Sequence, residues 1–189
     1  MVRPLVFAVA GNLLLSALVQ AELQLVPSVD EFELDGARLK QLAFQDGDRK
    51  VTYQSPHGWD YSGSPTQLTL HPPKKSQAEA TIARVSRSDQ PRFDDETLKK
   101  LVAEAVTLIP KGSTNVVVES QEKAPLRIGS RETFLLILSY SLLGNDYKRS
   151  ILFINRGNEQ IRCQLTCRST DFKDLEKAFL GSQYSWRNL

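Results

Sequence analysis

The alternation of apolar and polar residues along the chain predicts a protein built mainly of β-strands. In the segment EATIARVSRS, for example, Thr81, Ala83 and Val85 alternate with Ile82 and Arg84, which is the period of a strand. Further runs of this kind are separated by turn residues such as glycine, proline and aspartate. The predicted strands cover residues 37–44, 49–55, 59–61, 67–71, 79–88, 114–121, 130–143, 147–156 and 159–169.

Two segments show the helical period instead. The first is FDDETLKKLVAEAVTLIP, for which Asp94 is the expected N-cap and Pro110 and Gly112 form the stop signal. Its apolar positions recur every three or four residues, at Leu98, Leu101, Val102, Ala105, Leu108 and Ile109. The second is the closing segment TDFKDLEKAFLGSQYSW, with Thr170 or Asp171 as its cap. Its apolar stripe consists of Phe172, Leu175, Phe179 and Leu180.

The order of these elements predicts an α+β fold. Four strands follow one another after the first helix, and the connections GND and GN between them have the length and residues of hairpin turns. Parallel strands would need a crossover of a dozen or more residues, for which these turns are too short. We therefore expect an antiparallel β-sheet covered by amphipathic helices.

The two cysteines of the chain, Cys163 and Cys167, lie in the last predicted strand. Apolar residues alternate there with polar ones, so both thiols should face the same, inward side. In a straight strand their Cα atoms would be ~13 Å apart, whereas a disulfide needs less than about 7 Å. We expect two buried thiols; a disulfide from a distorted strand or between molecules, and a metal site, are the alternatives.

The N-terminus has the pattern of a secretory signal peptide. Arg3 is followed by an apolar run from Leu5 to Val19, with small residues at Val19 and Ala21. The run is shorter than the ~20 residues that span a bilayer. We therefore predict a signal peptide over residues 1–21, cleaved after Ala21, and a periplasmic or secreted protein. A retained membrane anchor is the alternative.

Charge divides the remaining chain into a short leader and one domain. The whole chain has 24 basic and 22 acidic residues, and residues 22–36 contain acidic residues but no basic one. We expect residues 22–36 to be an acidic, poorly ordered leader and residues 37–189 a single, mildly basic domain. This charge is too weak to indicate nucleic-acid binding.

No arrangement of residues in the sequence indicates catalysis. His57 and His71 lie beside prolines in turn-rich sequence, and no organised serine, metal-binding or phosphate-binding motif accompanies them. We expect no catalytic residue, no cofactor and no metal.

Basic residues on the polar face of the last strands are the candidate binding residues. Arg162 and Arg168 share one face of their strand, and Lys148 or Arg149 could lie across the hairpin from them. If no helix covers this face, Arg149, Arg162 and Arg168 could bind a partner. The alternative is an ordinary solvated face of an antiparallel sheet.

With these elements assembled, the chain resembles the PsbP-like α-β-α sandwich superfamily, which includes the DcrB-like envelope proteins of bacteria. The segment YQSPHGW, with Tyr53, Pro56, Gly58 and Trp59, is similar to the opening strand and turn of that group. The order of the later elements also agrees, over residues 37–188. This resemblance implies a non-enzymatic fold used for binding, and no site residue can be carried over.

Together these patterns predict an exported binding or accessory protein of the cell envelope. Its partner would be another envelope protein of unknown identity, and it would contact a membrane only through an uncleaved signal segment. The alternatives are a secreted hydrolase or lyase with a site that the sequence does not reveal, and a purely structural envelope component.

Overall fold

The computed structural model describes residues 22–87 and 92–189, which form ten strands and two helices. The predicted signal peptide lies outside the described residues. Among the described helices, none is long and apolar enough to cross a membrane. The strands are β1 (Leu23–Leu34), β2 (Ala37–Asp46), β3 (Arg49–Tyr53), β4 (Asp60–Gly63), β5 (Gln67–His71), β6 (Glu79–Ser86), β7 (Thr114–Lys123), β8 (Thr133–Leu142), β9 (Asn145–Arg156) and β10 (Glu159–Arg168). The helices are α1 (Asp95–Thr107) and α2 (Phe172–Ser182), the latter followed by a 3₁₀ turn.

Seven strands form the larger sheet, in the order β4-β5-β6-β10-β9-β8-β7. All neighbours are antiparallel. The hairpins β8–β9 and β9–β10 have the short glycine turns that the sequence predicts. In contrast, β6 pairs with β10, a strand more than 70 residues later in the chain. The coarse prediction of an α+β fold with antiparallel strands is confirmed.

A second, three-stranded sheet in the order β1-β2-β3 is the main difference from the sequence prediction. Residues 22–36, expected to be a poorly ordered leader, instead supply β1, whose Leu23 and Leu25 are fully buried. Asp35 and Gly36 both have positive φ angles in the turn to β2, as a two-residue hairpin turn requires. This Asp-Gly pair was the signal in the sequence that could have revealed the hairpin.

The two faces of the larger sheet belong to separate apolar clusters. On one face, Leu98, Leu101 and Ala105 of α1 pack with residues of β8 and β9, such as Phe134 and Ile151. On the other face, β5, β6 and β10 pack with the small sheet and with α2 in a larger cluster. Most of each predicted apolar stripe is therefore buried or half-buried, but Leu108, at the C-terminal end of α1, is 39% exposed.

The start of each helix shows how local the sequence signals are. Asp94 caps α1 as predicted, since its side chain accepts a hydrogen bond from the Thr97 amide at 2.8 Å. Asp171 occupies the N-cap position of α2, but its side chain makes no capping hydrogen bond. Its carboxylate instead lies 2.6 Å from the ammonium group of Lys75.

Buried ion pairs join the two sheets at one end of the domain. Asp46 of β2 is fully buried and pairs with Arg156 of β9. Arg156 also pairs with Glu159 of β10, which lies 2.9 Å from Arg84 of β6. Asp46 Oδ1 and the Nε atoms of Arg84 and Arg156 have no hydrogen-bond partner. Because these charges are out of water, each depends strongly on its partners.

Candidate interaction surface

The structure separates the three candidate arginines. Arg149 is only 7% exposed. Its guanidinium donates to the Leu108 carbonyl oxygen at the end of α1 (2.7 Å) and to the Thr166 hydroxyl (2.9 Å), and it lies over the Tyr140 ring. Burial lowers the pKa of Arg149. The expectation that Arg149 lies on an open face is therefore wrong, because the end of α1 covers it.

Arg162 and Arg168 remain accessible to different degrees. Arg162 is at the margin of α1, with its guanidinium 3.5 Å from the Glu104 carboxylate and its side chain 22% exposed. Arg168 lies at the end of β10 and donates to the Gln77 side chain. Only these two of the three predicted residues can contribute to a surface.

The part of the sheet that α1 leaves free is polar. In the ladder, Thr69 of β5 pairs with Thr81 of β6, which in turn pairs with Gln164 of β10. On this face of β6, Ala83 is buried and Val85 is half-buried. The polar side chains on this face that are half-buried or exposed are Asp60, Ser62, Gln67, Thr69, His71, Glu79, Thr81, Arg162, Gln164, Thr166 and Arg168. We call these residues the polar face. Neither apolar cluster of the described chain includes any of them.

A basic loop borders the polar face at the end of β10. Lys74, Lys75, Gln77, Arg168 and Asp171 line a cleft of about 310 Å³ there, together with Ser76 and Ala78. The Gln77 side-chain oxygen also accepts a hydrogen bond from the Tyr147 hydroxyl at 3.2 Å. The loop is thus tied to β9 and β10, and the charged groups lining the cleft are three basic side chains and the Asp171 carboxylate.

A second polar cleft, of about 410 Å³, lies at the ends of β7, β8 and β9. Each of its charged groups has a partner: Lys148 lies 2.6 Å from the Glu119 carboxylate, and Asp146 accepts a hydrogen bond from the neutral Ser141 hydroxyl at 2.7 Å. The bond from Lys148 lowers the pKa of Glu119. The pair thus links β9 to β7 across the cleft.

The cysteines face the core, as their alternation predicts. Cys163 and Cys167 are 1% and 0% exposed, and neither is in a disulfide. Burial raises the pKa of Cys167 to about 12 and raises that of Cys163 as well. Within the described residues there is no group of three or more His, Cys, Asp and Glu side chains that could hold a metal ion.

Comparisons with known proteins reveal similarity at the level of fold. No protein-family model matches the chain, and no curated protein matches it. One similar solved structure is PA94 of Pseudomonas aeruginosa, a protein of unknown function, with 17% identity and a TM-score of 0.42 over 83% of this chain and 94% of that one. Another, from Bacteroides thetaiotaomicron, has 11% identity and a TM-score of 0.45 over 72% of this chain, which spans only 44% of that protein.

A third is the cyanobacterial PsbP (CyanoP) of Synechocystis, with 12% identity and a TM-score of 0.48 over 72% of this chain and 85% of that one. These values concern the path of the chain, and no binding partner or site residue is transferred from any of the three. The solved structures similar to this chain thus include a PsbP, as the resemblance of the sequence predicted.

Proposed function

We propose that this protein is a non-enzymatic binding or accessory protein of the cell envelope, which contacts a partner protein through the polar face. The observation that carries the proposal is the division of one sheet surface into two halves. Over β8 and β9 the surface is apolar and packs with α1. Over β4, β5, β6 and β10 it is polar and stays accessible.

The helix positions support this division. We take the domain as an α-β-α sandwich in which α1 and α2 cover opposite faces of the larger sheet, and α2 shares its face with the small sheet. On the α1 side, one helix covers only part of a seven-stranded surface. The remaining strands expose threonine and glutamine side chains, which can donate and accept hydrogen bonds with a partner.

The charges of the polar face favour a protein partner over nucleic acid. Arg162 and Arg168 are balanced by Asp60, Glu79 and the nearby Glu104. A nucleic-acid site would present a net positive surface along the phosphate backbone. We propose that the chain acts after export, that no nucleic acid is involved, and that a membrane is contacted only if the signal segment is retained.

Charge substitution on the polar face tests the proposal. In the variant T69E/Q164E, two acidic side chains replace neutral ones at the centre of the face. The matched control is S120E/Q121E, which adds the same charge at exposed positions of β7 on the opposite edge of the sheet. Each tagged full-length chain is expressed in its natural host, cross-linked, and purified from the envelope fraction for quantitative mass spectrometry.

We expect at least one envelope protein to be recovered with the wild type and with S120E/Q121E, and to be reduced at least tenfold with T69E/Q164E. Equal recovery with all three chains would show that the polar face is not the contact surface. Retention of the chain in the cytoplasm would contradict export. An N-terminus that still carries residues 1–21 would contradict cleavage after Ala21.

A further inference from the structure

The hairpin of β1 and β2 extends beyond the third strand of its sheet. β3 pairs with β2 only from Leu42 to Asp46, while β1 and β2 remain paired as far as Leu34 and Ala37. We call residues 30–41 the arm. A two-stranded ribbon is marginally stable in water by itself, so the arm would gain from a third strand.

Within the described residues, the outer edge of β1 is free along the arm to accept that strand, whereas nearer the start of β1 the Leu25 amide donates to the Pro65 carbonyl oxygen at 3.0 Å. In the described chain, β1 has one strand neighbour, β2. The two-residue turn makes Leu34 and Ala37 a hydrogen-bonded pair, and hydrogen-bonded and non-bonded pairs alternate along an antiparallel ladder. The backbone N–H and C=O groups of Val29, Glu31 and Glu33 therefore point away from β2.

The two faces of the arm have different chemistry. On one face Glu31 pairs in register with Lys40, and Glu33 with Arg38. On the other face Phe32 pairs with Leu39 and Leu34 with Ala37. This second face is exposed, with Leu34 at 55% and Leu39 at 37%. Near its tip the arm is thus apolar on one side and charged on the other. At its base, Asp30 and Gln41 lie on the apolar side and are joined by a hydrogen bond of 3.3 Å.

Charge decides what can pair with the free edge. The arm's β1 residues include Asp30, Glu31 and Glu33 and no basic residue. A second β1 would place like charges opposite one another, which is unfavourable. Charged side chains of this kind protect edge strands against self-pairing. The same carboxylates attract an incoming strand whose residues opposite Glu31 and Glu33 are lysine or arginine.

We propose that the free edge of β1 binds an extended segment of a partner protein in which basic and apolar residues alternate. Its basic side chains would lie opposite Glu31 and Glu33, and its apolar side chains opposite Phe32 and Leu34. This is recognition by strand addition, in which backbone hydrogen bonds supply affinity and alternate side chains supply specificity. The surface is distinct from the polar face.

The base of the arm offers a further contact for such a segment. A cavity of about 250 Å³ there is lined by Val29, Lys40, Gln41, Leu42, Ser55 and Tyr61. Val29 is 55% exposed and Tyr61, on the neighbouring β4, is 40% exposed. An apolar side chain of the bound segment that follows its basic residues can pack against both.

The test uses a blocked heptapeptide of alternating valine and lysine, labelled for fluorescence anisotropy, and the full chain. The variant E31P removes an N–H that points away from β2, so the β1–β2 ladder keeps its hydrogen bonds. A second variant, E31Q/E33Q, keeps the edge and removes its charge. One control peptide carries glutamate in place of lysine, and another is N-methylated at alternate residues, which blocks strand pairing and keeps the charge.

We expect saturable binding of the lysine peptide to the wild type. The same peptide should bind at least tenfold more weakly to E31P and to E31Q/E33Q. Both control peptides should bind the wild type at least tenfold more weakly than the lysine peptide does. Thermal unfolding verifies that the variants are folded. If E31P does not fold, the N-methylated peptide tests whether binding needs backbone hydrogen bonds to the edge of β1. Absence of binding to the wild type would overturn the proposal. Equal binding of the N-methylated and lysine peptides would also overturn it, because it would show that charge alone causes the binding. Self-association of the wild type that E31P abolishes would overturn it too, because it would show that the edge of β1 pairs with a second copy of the chain.

Discussion

The guanidinium of Arg149 donates a hydrogen bond to the carbonyl oxygen of Leu108, 2.7 Å away, and so places a buried positive charge at the C-terminal end of α1. Carbonyl groups at a helix end lack partners within the helix and carry partial negative charge. Arg149 satisfies one of them while anchoring α1 to β9. Its function is therefore structural.

The variant R149M tests this role. Methionine fills part of the volume but leaves the Leu108 carbonyl and the Thr166 hydroxyl without their donor, so we expect a loss of about 2 kcal/mol in the free energy of unfolding. The control is R168M, at the accessible end of β10, which should cost less than about 1 kcal/mol. Urea unfolding measures both, and equal losses would contradict the distinction between the two arginines.

Removal of Arg156 should destabilise the protein more than removal of Arg149. In R156M the fully buried Asp46 loses its buried partner and keeps only Arg49, whose guanidinium lies 2.7 Å away and whose side chain is 66% exposed. An uncompensated buried charge costs about 3–5 kcal/mol, so with Arg49 still in place we expect a loss of about 3 kcal/mol. In the double variant D46N/R156M the charge is removed as well, so we expect part of that loss to be recovered. Urea unfolding of the single and double variants gives the coupling free energy between Asp46 and Arg156. A double variant no more stable than R156M would refute the expected recovery.

The thiols should be unreactive until the protein unfolds. Cys163 and Cys167 are buried in the central strand β10, and a pKa of about 12 for Cys167 leaves almost no thiolate at pH 8. We expect a bulky disulfide reagent to label neither thiol over hours in buffer and both at once in denaturant. Rapid labelling of native protein, monitored by mass spectrometry, would mean that β10 opens locally.

Glu176 of α2 should destabilise the protein at neutral pH. Its Oε1 atom is buried without a hydrogen-bond partner, and desolvation raises the pKa of its carboxyl group despite a hydrogen bond from Ser150. A raised pKa means that ionisation costs more in the folded than in the unfolded state. We therefore expect E176Q to increase the thermal midpoint at pH 7.

The pH dependence distinguishes this effect from altered packing. Below the unfolded pKa of about 4.3, the carboxyl group is protonated in both states, so the advantage of E176Q should shrink as the pH falls toward that value. E122Q, at an exposed position of β7, is the control and should change stability by less than about 0.5 kcal/mol. An advantage of E176Q that persists at pH 3 would point to packing.

Hairpins, helices and inward-facing residues were predictable from the sequence because each depends on near neighbours. The period of two in β10 placed both cysteines inward, and Asp94 marked the start of α1 through a bond to a residue three positions along. The prediction that residues 22–36 form a poorly ordered leader was wrong. The segment has many acidic and few apolar residues, so its alternation of apolar and polar positions was hard to recognise. The Asp35–Gly36 turn was a local signal that could have corrected this.

The candidate surface depended on contacts that no local pattern contains. Arg149 and Arg162 have similar surroundings in sequence, yet only Arg149 lies beneath the end of α1. The distinction arises where a helix some 40 residues away crosses the sheet.

By itself, then, the sequence determined the strands and helices and which side of each is apolar, since these follow from backbone geometry and the spacing of side chains. Only the tertiary structure decided that β6 pairs with β10, that Asp46 and Arg156 join two sheets, and that half of one sheet surface stays polar and open. Those features depend on which distant segments bury each other's surface. The period of two cannot identify those segments, because every strand that could pair has the same period.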